Sequence, residues 1–122
     1  MPCSIAKHRL AAFNRQEGRC FYCGLPMWLK HPAEFAAKYR ISEGAVSRFQ
    51  CTAEHLKARQ DGGTNSDGNI VAACRHCNMT RHRISPPPNP ATYQKRVRRR
   101  VLAGKWHPRS VLLLRGIPAL RL

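Results

Sequence analysis

Four of the six cysteines form two Cys-x-x-Cys pairs that lie far apart in the chain. The paired residues are Cys20, Cys23, Cys74 and Cys77. Zinc in structural sites takes four ligands in a tetrahedron, and two such turns supply four thiolates. Because the pairs are distant in sequence, one shared ion would join two segments and reinforce the modest core of a small domain. The spacing therefore predicts a structural Zn²⁺ bound by all four cysteines.

The cysteines also allow a second interpretation, since a single Cys-x-x-Cys pair can serve as a redox dithiol. Two pairs, each in a turn-like context, favour zinc over that alternative. Of the remaining thiols, Cys51 is expected to be a small buried hydrophobe and Cys3 a terminal residue without a role. The first residues lead into a charged segment without the apolar stretch of a secretory signal, so a reducing cytoplasm is the expected location.

A second group of polar side chains lies between and just after the cysteine pairs. Glu54 and His55 are adjacent at the end of a predicted strand. Asn78 and His82 share one face of a predicted helix. A hairpin packed on that helix would bring Glu54 close to Asn78 and His82. Their oxygen and nitrogen atoms suit a hard or borderline divalent cation, so we expect a second metal site here.

These side chains need a hairpin and a helix to bring them together, and the pattern of apolar and turn residues predicts both. Helices are predicted over residues 4–17, 74–84 and 91–103, strands over 51–56 and 69–73, and a polar glycine-rich loop over 61–68. Residues 25–31 are expected to be a short strand or loop, and residues 32–50 a helical insertion with a break at Gly44. The proline-rich stretch 85–90 ends the preceding helix and forms a stiff linker.

The whole chain, residues 1–122, is expected to form one domain of the α+β class. Its centre would be a small zinc-stabilised hairpin–helix core over residues 18–85, with the helical insertion at about 30–50. A helix at the N-terminal end and a basic helical extension over residues 90–122 would be added to that core.

Residues 36–48 also have the pattern of the two helices of a helix-turn-helix, with Ile41 and Val46 at core-like positions. Arg40 occupies the turn position where glycine is usual, and no third helix is evident. An insertion that packs on the core is therefore favoured over a DNA-reading unit.

The charge of the chain is strongly unbalanced, with 22 Lys and Arg against 6 Asp and Glu and a formal net charge of +16. Asp67 is the last acidic residue, so the chain from Gly68 onward carries positive charge alone. This imbalance indicates a polyanionic partner, and nucleic acid is favoured over an anionic membrane surface. A basic surface kept for solubility is the alternative. The apolar run 111–114 is too short to span a bilayer.

Basic residues near the predicted metal site or clustered on the following helix are candidates to contact phosphate groups. They are Lys57, Arg75, Arg81, Arg83, Lys95, Arg96, Arg98, Arg99 and Arg100. Contacts of this kind hold the nucleic-acid backbone and give an affinity that depends on salt and little on base sequence. Trp106 is expected to be a small hydrophobic anchor rather than a platform on which a base stacks.

The order of the motifs resembles the zinc-knuckle branch of the HNH endonucleases, which are His-Me finger enzymes with the ββα-metal fold. The positions that carry the resemblance are Cys20, Cys23, Glu54, His55, Gly62, Gly63, Asn69, Cys74, Cys77 and Asn78. They lie within residues 18–83, and the resemblance excludes the N-terminal helix, residues 25–50 and the C-terminal third. The last of the three name-giving positions is Asn78, which makes the chain similar to the H-N-N variant.

The resemblance implies a role for each matched polar residue. His55 would be the general base that takes a proton from water, and Asn69 would span the loop by hydrogen bonds and so orient His55. Glu54 and Asn78 would bind the catalytic divalent metal, and His82 matches a third ligand of the colicin-type members. The metal would be Mg²⁺, Mn²⁺, Ni²⁺ or Zn²⁺. The substrate would be DNA, expected to be double-stranded, cut to 5′-phosphate and 3′-hydroxyl ends.

Elementary chemistry agrees with these roles. A neutral imidazole accepts a proton near pH 7, and a divalent cation neutralises charge that develops on the phosphate. Two other functions stay open at this point. One is a zinc-dependent nucleic-acid-binding module without catalysis, against which the intact set of polar residues argues. The other is cleavage of RNA, which the charge of the chain does not exclude.

Overall fold

The computed structural model describes residues 4–108, so Cys3 and the apolar run 111–114 lie outside the described residues. The helices are α1 Ser4–Arg15, α2 Pro32–Tyr39, α3 Glu43–Val46, α4 Arg75–Arg83 and α5 Pro90–Leu102, the strands are β1 Cys51–His55 and β2 Ile70–Cys74, and single 3₁₀ turns cover Ser47–Phe49 and Arg59–Asp61. The fold is α+β, as predicted; outside the insertion the predicted helices and strands differ from these only at their ends, and the 3₁₀ turn Arg59–Asp61 was not predicted. Within residues 4–108, no helix is long and apolar enough to cross a membrane.

β1 and β2 form an antiparallel hairpin that runs between the two candidate metal sites. Cys51 pairs with Cys74 at one end, and His55 pairs with Ile70 at the other. A five-residue strand separates these ends by about 13 Å. All residues of β2 are buried, as its apolar composition requires. The hairpin therefore presents a zinc-ligand candidate at one end and the Glu54–His55 pair at the other.

α1 covers the hairpin and contacts both strands. Just beyond its last turn, Gln16 completes the hydrogen bonding of Ala72 in β2. The Gln16 side-chain oxygen accepts from the Ala72 N–H at 2.9 Å, and its side-chain nitrogen donates to the Ala72 carbonyl at 2.8 Å. The Ala72 carbonyl also accepts from the Phe21 N–H at 2.9 Å, but the edge of a two-stranded sheet would otherwise leave the Ala72 N–H without a protein partner. Polar as well as apolar contacts thus join α1 to the hairpin.

α4 begins directly after β2, without a linker. Cys74 is its N-cap residue, and the Cys74 Sγ accepts a hydrogen bond from the backbone N–H of Cys77. The helix then packs back on β1. Asn78 tethers it there, because its side-chain nitrogen donates to the Thr52 hydroxyl at 3.0 Å and to the Ala53 carbonyl at 3.3 Å. This local geometry sets α4 across the hairpin.

The helical insertion bends at a different residue from the one predicted. Gly44 lies inside α3, and the chain turns instead at Arg40, which has a left-handed conformation with φ 53°. That conformation costs a non-glycine residue about 1–2 kcal/mol. The turn directs Ile41 into the core beside Phe35 and Phe49, and burial of each such side chain contributes about 2 kcal/mol. The insertion is thus a packing element, and α3 is too short to serve as a recognition helix.

α5 has an apolar side that packs on the core and a basic side that faces solvent. Asn89 caps the helix, since its side-chain oxygen accepts from the Ala91 N–H at 2.9 Å. Its buried residues recur at every fourth position, as expected for one face of a helix: Tyr93, Val97 and Val101.

Candidate metal centre and active site

The four paired cysteines converge at one buried position, as predicted. Their Sγ atoms all lie within 4.8 Å of one another. Zinc binds thiolates at about 2.3 Å, which places the sulfurs of a tetrahedral site about 3.8 Å apart. The separation of 4.0 Å between the Sγ atoms of Cys23 and Cys74 fits that geometry. All four are free rather than disulfide-bonded, so they are placed to bind a metal such as zinc.

Burial and mutual hydrogen bonds set the proton affinity of these thiols. Burial raises the pKa of Cys23 and Cys77 well above the usual value. Burial also opposes ionisation of Cys20, but hydrogen bonds from the other thiols of the cluster lower its pKa well below the usual value. The backbone N–H groups of Tyr22 and Cys74 point at the Cys20 Sγ, both at 3.3 Å. A cation that binds here must displace thiol protons.

Two residues beyond α5, which the sequence did not identify as part of the metal centre, close over the sulfurs. The indole N–H of Trp106 donates to the Cys77 Sγ at 3.3 Å, so Trp106 is more than the hydrophobic anchor that was expected. The Nε2 of His107 lies 3.4 Å from the Cys23 Sγ, and this residue is 4% exposed. Such N–H groups orient metal-bound thiolates and offset their charge. The only sequence signal was an aromatic residue next to a histidine after a helix end.

His55 lies at the end of β1, beside the glycine-rich loop. Its Nε2 is 2.8 Å from the side-chain oxygen of Asn65 in that loop. An amide oxygen only accepts hydrogen bonds, so Nε2 carries the proton and Nδ1 of the neutral ring keeps its lone pair. Nδ1 is thus the atom able to take up a proton. Sequence reasoning missed Asn65, although an amide residue two positions after Gly63 in the loop that follows His55 was a usable signal.

Asn69 ties together the two ends of the same loop. Its side-chain oxygen accepts from the Lys57 N–H at 2.8 Å, and its side-chain nitrogen donates to the carbonyls of Lys57 and Thr64 at 3.0 and 2.8 Å. The loop passes so close to this point that a Cβ on Gly63 would overlap the Lys57 carbonyl oxygen. Only glycine therefore fits at position 63, and the backbone that follows His55 is fixed.

Glu54 is only 2% exposed, and both of its carboxylate oxygens have partners. One oxygen accepts from the Tyr22 hydroxyl at 3.0 Å and from the Arg81 guanidinium at 3.1 Å. The other lies 2.9 Å from the Nε2 of His82. Burial raises the pKa of Tyr22 and the charge of Glu54 raises it further, so the phenol stays protonated and donates. The structure thus brings Glu54 and His82 together and adds Tyr22 and Arg81, which the sequence did not place here.

Two arginines that were expected to contact nucleic acid make contacts within the protein. Arg81 is 6% exposed, and its guanidinium donates to Glu54 and to the Pro88 carbonyl. This contradicts the expectation for Arg81, because a carboxylate in the interior needs a cationic partner. Arg98 is partly buried and donates to the Tyr22 carbonyl at 2.9 Å, which docks α5 on the first cysteine turn. The other candidates are exposed, namely Lys57, Arg75, Arg83, Lys95, Arg96, Arg99 and Arg100.

Asn78 links α4 to β1 through its side-chain nitrogen. The hydroxyl of Thr52 donates its proton to the Ala73 carbonyl at 2.6 Å, so it can only accept from Asn78. The Ala53 carbonyl is also an acceptor. The side-chain oxygen of Asn78 is therefore turned away from these groups, and within residues 4–108 it accepts no hydrogen bond. It is open to a ligand.

Glu54 and His82 form the nucleus of a candidate second metal centre. Two neighbouring ligands on an octahedral cation at about 2.1 Å are about 3 Å apart, and the observed O–N separation is 2.9 Å. The His82 side chain is 43% exposed, so solvent reaches it. In the described part of the chain, the cysteine cluster is the only group of three or more His, Cys, Asp or Glu ligands. A cation at Glu54 would complete its shell with an amide, water and substrate oxygens, as Mg²⁺ commonly does, and the residues present fit such an ion.

The hairpin and α4 also coincide with a segment recognised by sequence comparison. Residues 42–83 match the family described as HNH endonuclease. The segment contains the second cysteine pair and the matched polar residues Glu54, His55, Asn69 and Asn78. The resemblance predicted from the motifs is thus confirmed, and the cluster of four cysteines agrees with the zinc-knuckle branch. Comparisons with curated proteins and with solved structures gave no match.

Proposed function

We propose that the protein is a metal-dependent endonuclease that hydrolyses phosphodiester bonds of DNA, with His55 as the general base. The observation that carries the proposal is the arrangement at the loop end of β1. Glu54 and His82 face each other in a 2.9 Å hydrogen-bonded contact, a separation that two ligands of one cation would also have. The adjacent residue, His55, is held with its Nδ1 able to accept a proton. The match of residues 42–83 to HNH endonucleases supports the nuclease class.

In the proposed reaction, the Nδ1 of His55 takes a proton from a water molecule as the water oxygen attacks phosphorus. The bond between phosphorus and the 3′ oxygen breaks, and the departing 3′ oxygen takes a proton from solvent. The products are a 5′-phosphate and a 3′-hydroxyl end. Asn65 fixes the tautomer of the ring, and Asn69 holds the backbone that follows it.

A divalent cation bound by Glu54 and His82 would supply charge neutralisation at the scissile phosphate. Arg81 and Tyr22 hold one oxygen of Glu54, which leaves the other directed to His82. The side-chain oxygen of Asn78 is the proposed third ligand. This division of contacts keeps the carboxylate in place whether or not substrate is bound.

The exposed basic residues support DNA, in double-stranded form, as the partner. Lys57 closely follows His55, and Arg75 and Arg83 lie at the two ends of α4. Four more candidates are exposed on α5, namely Lys95, Arg96, Arg99 and Arg100. A surface of this kind binds phosphates through charge, with an affinity that falls as salt rises. Free thiols that bind zinc are stable in a reducing compartment, which supports a cytoplasmic location.

A second function is favoured by one specific contact set. Glu54 is buried and paired with Arg81 and Tyr22, as a carboxylate with a purely structural role would be. In that case the chain would be a zinc-dependent nucleic-acid-binding module without catalysis. Metal-dependent cleavage distinguishes the two functions.

The experiment uses zinc-loaded protein freed of weakly bound ions and supercoiled plasmid, with Mg²⁺, Mn²⁺, Ni²⁺ or additional Zn²⁺ added back. Nicked or linear product is expected with at least one metal. DNA ligase should rejoin the cut ends, because it requires a 5′-phosphate and a 3′-hydroxyl. DNA binding without cleavage under every metal would establish the binding module instead. Faster cleavage of an RNA of the same sequence would contradict DNA as the substrate.

A further inference from the structure

An open groove lies between the 3₁₀ turn Ser47–Phe49 and α4. Its volume is about 230 Å³, and the residues that line it include Ser47, Arg48, Arg75, His76, Thr80 and Arg83. At 100° per residue, His76, Thr80 and Arg83 lie about 100–160° around α4 from Asn78 and His82, whereas Arg75 lies within about 20° of His82. The groove therefore borders the side of α4 that carries the candidate metal site at Arg75 and extends away from that side at His76, Thr80 and Arg83.

Three arginines meet in this groove without an acidic partner. None of the six Asp and Glu residues of the chain lines it. Arg75 and Arg83 are exposed, and the Nε of Arg75 donates only to the Met79 sulfur, at 3.2 Å, within the described residues. Guanidinium groups stay charged at any physiological pH, so the three cations repel one another. An anion is the ligand that such a groove fits.

Arg48 is held in place from inside the molecule. One of its terminal nitrogens donates to the Trp106 carbonyl at 2.7 Å. Its Nε is buried and, among residues 4–108, has no hydrogen-bond partner. A partly buried cation with an unpaired N–H is unfavourable unless a negative charge lies nearby. Because the Trp106 contact holds the Arg48 guanidinium beside Arg75 and Arg83, an anion in the groove would offset its charge.

Two of the groove arginines lie at opposite ends of α4. Arg75 and Arg83 are about 12 Å apart along the axis of α4, at 1.5 Å per residue. Positive charge spread over that length suits successive phosphates of a DNA strand. The whole of α4 is only about 14 Å long, so a strand in the groove stays within one helix length of His82.

We infer that this groove binds the phosphate backbone of the DNA duplex beside the cleaved bond, and that the helical insertion takes part in this binding through Arg48. The inference rests on the proposed function, since it takes DNA as the substrate. The helical insertion would then have two roles. Phe49 packs in the core, and the preceding residue, Arg48, binds DNA.

Anisotropy of a fluorescent DNA duplex, with full-length zinc-loaded protein and no catalytic cation, tests the inference. The variants Arg48→Gln, Arg75→Gln and Arg83→Gln each remove one charge from the groove. Lys38→Gln is the matched control, since Lys38 is exposed on α2 in the same insertion. We expect each groove variant to bind about tenfold more weakly and to lower the slope of log affinity against log salt by about 1. The control should change affinity by less than about twofold.

Arg48→Lys tests whether Arg48 contributes only its charge to DNA binding or also the planar shape of its guanidinium group. Because lysine keeps the charge but cannot make a bidentate phosphate contact, it should keep most of the salt slope and still weaken binding. Wild-type affinity of Arg48→Gln at unchanged zinc content overturns the inference, and so does an equal loss in Lys38→Gln. If Arg48→Gln does not fold, wild-type affinity of Arg48→Lys overturns it instead.

Inorganic phosphate is the second probe. It should displace DNA no better than chloride at equal ionic strength. Saturable displacement at low millimolar phosphate would indicate an isolated anion site and overturn the assignment to DNA, as would tighter binding of an RNA duplex through the same arginines. The binding assay does not measure cleavage, so the two proposals can fail separately. If the groove variants bind DNA more weakly but the wild-type protein cleaves nothing, the groove inference stands and the proposed nuclease activity is wrong. If the groove variants bind and cleave DNA like the wild type, the proposed nuclease activity stands and the groove inference is wrong.

Discussion

The side chains of His55 and Asn65 are joined by a hydrogen bond of 2.8 Å between Nε2 and Oδ1. Asn65 follows Thr64, whose carbonyl accepts from the side chain of Asn69. The Asn69 side chain also hydrogen-bonds to the N–H and the carbonyl of Lys57, which lies two residues after His55. The orientation and tautomer of the His55 ring therefore depend on a network of hydrogen bonds within the loop and not on β1 alone.

Replacing Asn65 by alanine should lower kcat about 10- to 100-fold with little change in KM, because the ring is no longer held in one orientation and tautomer. Nitrogen NMR of the resting protein should show loss of the Nε2-protonated form of His55. Gln60→Ala, an exposed change in the preceding 3₁₀ turn, should alter neither. Wild-type kcat in Asn65→Ala would show that His55 needs no such partner.

Gly63→Ala should destabilise the loop by roughly 1–3 kcal/mol and reduce cleavage, since its Cβ would overlap the Lys57 carbonyl oxygen. Gly68→Ala is the matched control, because a Cβ there meets only open space. Urea unfolding of the two variants checks the difference. Equal stability of both proteins would contradict the close approach of the loop to Lys57.

Arg81→Met should lower the free energy of unfolding by about 3–5 kcal/mol, because it leaves the buried carboxylate of Glu54 without its cationic partner. Arg83→Met, an exposed change on the same helix, should stay within about 0.5 kcal/mol of wild type. Denaturant titration measures both. If Arg81→Met is as stable as Arg83→Met, the ion pair does not support the site.

Cys23→Ser should reduce bound zinc below one ion per chain and cost the protein its cooperative unfolding, because a structural metal contributes directly to folding. Cys51→Ala should keep its zinc. Cys51 is buried outside the cluster, and burial raises its pKa to about 12, so it remains a neutral thiol. Elemental analysis and thermal unfolding check the pair. Loss of zinc in Cys51→Ala alone would overturn the ligand assignment.

Local spacing was sufficient to predict the parts of the site that a single element or a short connection determines. Two Cys-x-x-Cys turns carry their ligand geometry with them, so the cysteine cluster could be predicted. The proximity of Glu54 and His82 followed from an alternating strand packed on a helix of period 3.6. The ends of β1, β2 and α4 were predicted well because glycine, proline and cysteine punctuate them.

The remaining contacts depend on tertiary burial, which spacing does not encode. Arg81 precedes His82 on α4, and sequence alone does not show that both side chains reach the buried carboxylate of Glu54. The insertion turns at Arg40 rather than Gly44, since burial of Ile41 outweighs the local preference for glycine. Tertiary packing also sets the contact of Trp106, which lies beyond α5, with Cys77 on α4.

The central claim, that His55 is the general base, is tested most directly by single-turnover cleavage of a labelled DNA duplex. The comparison is between wild type, His55→Ala and His31→Ala, an exposed histidine far from β1 in the chain. The account predicts that His55→Ala cleaves at least about 100-fold more slowly with unchanged zinc content and DNA affinity, and that His31→Ala cleaves like wild type. Cleavage by His55→Ala at the wild-type rate would contradict it.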